Sequence, residues 1–255
     1  KPMRSHQYAL GGYYTGINGW EFSVEGYYKD MRNVLEYKDG VSFFGSSSGW
    51  ENKVEIGKGR SAGIEFMAQK TAGKTTGWLS YTLSKSDRKF TKGGINNGEW
   101  FPYKYDRRHS INLTINHKFS DRIDIGASWV FYTGGTSTIP EEKTTVIRPH
   151  NGANNGFLWY GTYDNTNSSP TIGDVSYIEH RNNFRLPASH RLNLGVNFNK
   201  KTKHGMRTWN ISLYNAYNAM NPAWVYRGHN KQGLSVIKKY TLLPLIPSFT
   251  YTYKF

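Results

Sequence analysis

The chain has 255 residues, no cysteine and a formal charge of +15 at neutral pH. Hydrophobic residues make up only 37% of it, aromatics as much as 16%, and the mean hydropathy is −0.68. These values exclude disulfides, thiolate metal sites and cysteine nucleophiles. They leave too few aliphatic residues for an ordinary core of this size, and no run of about 18 apolar residues exists to form a transmembrane helix.

Segments of period two recur along the chain, with one apolar and one polar face each. The first spans about Ser5 to Thr15, with Tyr8, Leu10 and Tyr14 on one face. Asn18-Gly19 is a tight hairpin signal. The second runs from Trp20 to about Leu35, with Phe22, Val24, Gly26 and Tyr28 on the apolar side. A Gly- and Ser-rich loop is expected from Tyr37 to Gly59. The third, Arg60 to Lys70, puts Ala62, Ile64, Phe66 and Ala68 outward. The fourth, Thr76 to Ser86, follows a short turn and shows Leu79, Tyr81 and Leu83. After a second long loop, Asp87 to Tyr105, comes a fifth segment, Arg107 to Lys118, with Ile111, Leu113 and Ile115 outward. The short turn at Ser120-Asp121 leads to a sixth, Arg122 to Thr133, with Ile123, Ile125, Ala127, Trp129 and Phe131 outward.

The longest connection then runs from Gly134 to Ala188. A structureless stretch of that length argues against a compact soluble domain, and is ordinary at a barrel mouth. The seventh segment, Ser189 to Asn199, carries Leu192, Leu194, Val196 and Phe198. The eighth, Met206 to about Tyr217, carries Trp209, Ile211 and Leu213. The last, about Tyr240 to Phe255, ends in aromatics at every odd position: Phe249, Tyr251, Tyr253 and Phe255. The pattern predicts an all-β fold, a transmembrane antiparallel β-barrel of about nine strands in this chain, without a convincing helix. Short turns and long loops alternate, so all short turns share one rim and all long loops the other. A C-terminal strand running toward the periplasm puts the long loops outside the cell. An open edge is not tolerated in lipid and bacterial single-chain barrels have even strand counts. The barrel is therefore expected to be completed by strands from elsewhere, most simply an N-terminal part of the same polypeptide. The chain begins Lys1-Pro2-Met3, with neither initiator Met nor signal peptide, as expected if it starts downstream of its true beginning.

Several stretches resemble, in order, the C-terminal β-barrel portion of TonB-dependent outer-membrane transporters. They are Ser-Ala-Gly-Ile-Glu-Phe at 61–66, Gly-Trp-Leu-Ser-Tyr-Thr-Leu-Ser at 77–84 and Tyr-Asp-Arg-Arg-His-Ser-Ile-Asn-Leu at 105–113. Further on come Trp-Val-Phe-Tyr-Thr-Gly-Gly at 129–135, Arg-Leu-Pro-Ala-Ser-His-Arg-Leu-Asn-Leu at 185–194, Tyr-Asn-Ala-Tyr-Asn-Ala-Met-Asn-Pro at 214–222 and the terminal Tyr-Lys-Phe. The resemblance implies a barrel of about 22 strands with a plugged lumen. Residues 1–255 would supply its last nine strands, while the N-terminal plug and earlier strands are absent from this sequence. It implies active import of a ligand held by extracellular loops, energised through TonB, and residence in the bacterial outer membrane. The implied partners are the N-terminal half of the same receptor, TonB through that half, and a capping surface lipoprotein. The scattered basic residues suit outer-membrane lipid and lipopolysaccharide phosphates. A passive porin or structural outer-membrane barrel is the alternative. Nucleic acid is disfavoured, because the outward faces are apolar and uncharged and the basic residues form no stripe.

No catalytic constellation, cofactor motif or metal-ligand spacing stands out, and the chain does not read as an enzyme. Glu141-Glu142 and the Asp164 to Asn167 stretch offer oxygen donors of the kind Ca²⁺ takes, and read first as solvated loop acids. Two loop groups mix aromatics with amides suited to ligand capture. One is Trp100, Phe101, Tyr103 and Tyr105; the other is Asn151, Asn154, Asn155, Trp159, Tyr160 and Tyr163. Glu65, Arg108, Asn112 and Arg191 fall on the lumenal face, to meet a plug or a passing ligand. Phe249, Tyr251, Tyr253 and Phe255 form a lipid-facing stripe, and the resemblance implies that the terminal aromatic serves as the assembly signal.

Overall fold

The structure, a computed structural model, describes residues 2–38, 49–92, 94–140, 142–147 and 172–255. One meandering antiparallel sheet forms the wall. Its strands, in order across the sheet, are β1 (Arg4–Tyr14), β2 (Trp20–Tyr37), β3 (Val54–Lys70), β4 (Thr75–Lys89), β6 (His109–Lys118), β7 (Ile123–Tyr132), β12 (Ser189–Thr202), β13 (Gly205–Tyr214) and β16 (Ile246–Lys254). The three-residue β5 (Trp100–Pro102) pairs with the upper end of β4. Three small hairpin-like pairs stand on the long loops. They join β8 (Thr136–Ser137) to β11 (Phe184–Arg185), β9 (Glu142–Ile147) to β10 (Ile172–Tyr177), and β14 (Pro222–His229) to β15 (Ser235–Thr241).

The nine wall strands are those expected, and every one has at least nine residues, the length a tilted strand needs to cross a bilayer. The boundaries differ most at β3 and at the last strand. The loop expected up to Gly59 ends at Val54, where β3 begins; the last strand starts at Ile246; and Tyr240 belongs to β15. Two short 3₁₀ turns, Trp50–Lys53 and Asn96–Gly98, are the helical content of the described residues.

Register makes the outward face continuous. Gly26 pairs with Ile64, Ile64 with Leu83, Leu79 with Leu113, Leu113 with Trp129, Trp129 with Leu192, Leu194 with Leu213, and Ile211 with Phe249. Directly opposed residues of antiparallel strands share a face. This band is exposed: Ile64 is 55% accessible, Ile211 50% and Phe249 65%. The buried hydrophobic residues among those described are Val34, Phe90, Ile95, Phe101 and Ile139, and all lie at or above the long-loop rim. A wall whose described residues bury apolar side chains only at the rim, and whose exterior carries a continuous apolar band, folds only if lipid covers that band.

The rim core explains the early start of β3. A bulge at Asn33, with φ of 58°, shifts the phase of β2 so that Val34 turns inward opposite Gly57. A Cβ on Gly57 would come within 2.4 Å of the Phe90 ring, so the glycine is what lets Phe90 lie flat on the sheet beside Val34, Ile95 and Phe101. The sheet is open, with β1 and β16 as its edges.

Candidate functional site

The long-loop rim carries most of the buried charge. Asp106, in the turn before β6, is 1% exposed. Its carboxylate accepts from Arg185 Nη2 at 2.6 Å, from Arg108 Nε at 3.0 Å and from the Ser86 backbone N–H at 2.7 Å. Arg185 also donates to the Asp106 and Gly134 carbonyls at 2.8 and 2.9 Å. Charge-assisted bonds of this kind are the strong ones, and here they tie the loop after β4 to the loop before β12. Gly134-Gly135 makes that approach possible. A Cβ would sit 2.0 Å from the Leu186 carbonyl at Gly134, and 2.6 Å from the Lys104 carbonyl at Gly135. The Thr136 and Leu186 N–H groups complete the frame, donating to Lys104 and Gly135 carbonyls at 3.1 and 2.9 Å.

A cleft of about 440 Å³ opens against this frame. Tyr105, Tyr132 and Trp224 supply its ring faces, and Lys104 and Arg107 its charge. Arg107 lies over the Tyr132 ring at 3.9 Å and Lys104 over Tyr105 at 4.8 Å. Among the described residues no carboxylate lines the cleft, since Asp106 is turned away into its own arginines. Tyr132 pairs with Ser110 and Ser189 on the polar face, so the cleft adjoins the lumenal side of the wall.

Of the loop aromatics expected to capture ligand, Tyr105 lines this cleft and Tyr103 meets it edge-on, ring centroids 5.3 Å apart. Tyr103 is itself covered by Arg88 at 3.7 Å. Trp100 stands elsewhere: its register partner is Lys89, on the outward phase of β4, and Arg60 lies over its ring at 4.3 Å. Phe101 is buried in the rim core. Asn151, Asn154, Asn155, Trp159, Tyr160 and Tyr163 lie outside the described residues, as do Glu141 and Asp164. Tyr132, Arg107 and Trp224 were not singled out by sequence. Tyr132 sits one residue past an outward alternation, and Trp224 belongs to the β14–β15 hairpin, where it stacks on Tyr240 at 4.3 Å.

Of the four residues expected to face the lumen, Glu65, Asn112 and Arg191 fall by register on the polar face, and Arg108 lies in the turn before β6. Glu65 pairs with Glu25 and Thr82. Asn112 donates to Ser80 Oγ at 3.4 Å. Arg108 is spent on Asp106. Arg191 is held against the wall by the Tyr214 hydroxyl and ring, and its Nε is buried without a partner. Lower on the same face an amide ladder runs toward Asp124, which accepts from Asn197 and Asn199 at 2.7 Å each. Asn210 and Thr208 donate in turn to those two side chains, also at 2.7 Å.

The motif at 214–222 is a turn built on asparagine. Asn215 and Asn218 have φ of 53° and 54°, a region asparagine enters more easily than other side chains. The buried Asn215 amide donates to the Ala219 and Leu243 carbonyls at 3.0 and 3.2 Å, and its oxygen accepts the Ala219 N–H at 2.8 Å. This fixes where the chain leaves β13 and where it returns toward β16.

Residues 1–227 match the family model described as TonB dependent receptor-like, beta-barrel. No match was found among curated proteins. Solved structures with this fold include the ferric-catecholate import receptor Fiu from E. coli K12 in its closed form, with TM-score 0.55 and 14% identity over 98% of this chain and 27% of that one. The unliganded ferric citrate transporter FecA gives 0.51 and 11% over 97% of this chain and 30% of its own. The ferripyoverdine receptor of the Pseudomonas aeruginosa outer membrane, with ferripyoverdine bound, gives 0.52 and 11% over 98% and 26%. The chain thus spans less than a third of each of these receptors. A meander of nine strands with an exposed apolar outward band, matched by the family model over most of its length, has one assignment: the chain belongs to the TonB-dependent receptor β-barrel family of the bacterial outer membrane.

Proposed function

We propose that the chain is the C-terminal part of the barrel wall of an active importer, about 22 strands in all. A ligand is captured at the extracellular long-loop rim and moved through the barrel with energy passed from TonB. The plug and remaining strands come from an N-terminal part of the same receptor, and a surface lipoprotein is a further partner at the rim. No chemistry is performed on the ligand. The observation that carries the reading is the cleft, where three ring faces and two cations meet, with no carboxylate among the described lining residues, on the lumenal side of the long-loop rim. Stacking surfaces with unneutralised cations suit a ring-bearing, anionic solute. A ferric catecholate, the ligand class of the E. coli receptor of like fold, belongs to that class, whereas ferric citrate shares the charge without an aromatic ring.

The test uses the whole receptor purified from its membrane, titrated with ferric citrate and with a ferric catecholate while tryptophan fluorescence is followed. Replacing Tyr105 and Trp224 together by alanine removes two stacking faces and is expected to weaken binding of the chelate that binds by about tenfold or more. Heat-modifiable migration of the barrel stays unchanged. Equal affinity in the variant would assign these rings to loop packing. Steady single-channel conductance in planar bilayers, without saturable ligand binding, would favour a passive pore.

A further inference from the structure

The short-turn rim carries positive charge that the wall does not balance. On the polar phase of the sheet, the Lys74 carbonyl accepts the Lys118 N–H at 2.8 Å, and Lys118 is opposite Asp124. The Arg122 carbonyl accepts the Asn199 N–H at 2.7 Å, and Lys201 and Lys254 are both opposite Met206. Register therefore brings five cations to one end of the polar phase, and Lys203 stands at the tip of the turn between β12 and β13. All six are exposed. At about 4.8 Å between neighbouring strands, the arc they occupy from β4 to β16 is about 25 Å long.

Little on the wall answers this charge. Asp121 is held by Lys118 at 2.8 Å, and the Asp124 carboxylate is filled by Asn197 and Asn199. Residues 180–255 contain 12 Lys and Arg but no Asp or Glu, so β12, β13 and β16 bring no counter-charge of their own. Lys74, Arg122, Lys203 and Lys254 have no ion pair among the described residues. Two features narrow the partner. The first is placement. At this end the outward phase carries Trp209 between Phe198 and Tyr251, with Lys200 opposite Arg207 just beyond. Lipid headgroups reach that outward pair, whereas the arc lies on the other phase and at a turn tip. The second is length. An arc of this span exceeds what one small anion can touch, and suits a polymer that repeats its negative charge.

We propose that the short-turn rim binds the peptidoglycan of the cell wall, through the free carboxylates of its peptide stems. A single exposed ion pair contributes little. Several made to one polymer reinforce each other, because each contact raises the effective concentration of the next. The contact tethers the receptor to the wall beneath the membrane and shares no residue with the cleft. That this rim faces the periplasm rests on the extracellular placement of the long loops proposed above.

The whole receptor in neutral detergent is mixed with purified peptidoglycan sacculi, and the fraction that sediments with them is measured. Lys74→Gln, Arg122→Gln, Lys201→Gln and Lys203→Gln together are expected to lower the apparent affinity about tenfold or more at low salt. Exchanging the same four positions between Lys and Arg keeps it. Lys58→Gln with Lys89→Gln, at the opposite rim, serves as the charge control and leaves binding unchanged. Sacculi whose stem carboxylates have been amidated are expected to bind the wild type no better than they bind the Gln variant. Equal sedimentation of wild type and Gln variant, or undiminished binding to amidated sacculi, would overturn the proposal. Phosphatidylglycerol vesicles that bind the wild type as tightly as sacculi do, and lose it in the Gln variant, would reassign the arc to lipid headgroups. A Gln variant that melts several degrees low and still binds sacculi normally would assign the arc to a contact within the receptor. Chelate titration of the cleft is read separately, so either proposal can fail without the other.

Discussion

Leu113 and Asn112 are neighbours in sequence with opposite surroundings. Leu113 lies between Leu79 and Trp129 in the outward band, and Asn112 between Ser80 and Val130 on the polar face. An arginine at the midplane of a lipid face costs about 2–4 kcal/mol, whereas on the lumenal face it meets water. Leu113→Arg is therefore expected to cut the yield of folded, heat-modifiable barrel severely, and Asn112→Arg only slightly. Comparable yields of the two variants in outer-membrane fractions would refute the facing assigned here. The choice at each residue is made by phase alone, which is why a single added residue matters. At Asn33 the bulge exchanges the two faces of β2, and Val34 enters the rim core instead of the lipid coat.

Among the elements, the final strand combines two demands. Trp209 of β13 packs on Phe249 and Tyr251, ring centroids 5.0 and 4.5 Å away, while the other edge of β16 has no strand beside it in the described sheet. Phe255 follows the last paired residue and is fully exposed. Phe255→Asp is expected to reduce outer-membrane levels while molecules that do assemble keep their ligand affinity; wild-type accumulation would remove the terminal aromatic as an assembly signal. The wall strands were legible in sequence because each shows lipid on one side and water on the other, which forces strict alternation. Where that contrast ends, so does legibility. The start of β3 was missed because Gly57 and Gly59 have no side chain to register a pattern, their faces being filled by Phe90 and Met31. The β14–β15 hairpin was missed because it rises clear of the membrane, where Val225 faces Lys239 and Tyr226 faces Lys238. Half of the cleft was hidden for a related reason. Tyr105 stood in an aromatic loop and drew notice, but Trp224 reaches the cleft through a pairing that no local pattern reports.

At the scale of the whole wall, each strand pairs with the wall strand before it, and the connections are longest at 215–245, from β13 to β16, and above all at 133–188, after which β12 returns to β7. Closing a loop of that length costs about 2 kcal/mol more than closing a four-residue turn. The pair nonetheless forms ten matched residues, from Ser189 with Tyr132 to Phe198 with Ile123. This makes the β7–β12 line a joint between two panels, one of six strands and one of three. The joint is held by register and side chains more than by chain connectivity. A receptor cut once within 148–171 is then expected to stay whole in detergent, its two pieces separating only when boiled. Dissociation at room temperature would mean that the connection itself holds the panels together. If the pieces stay joined, the long outer loop is free to diversify its length and composition without loosening the wall, and selection for a new ligand and selection for a sealed membrane act on separate parts of one chain.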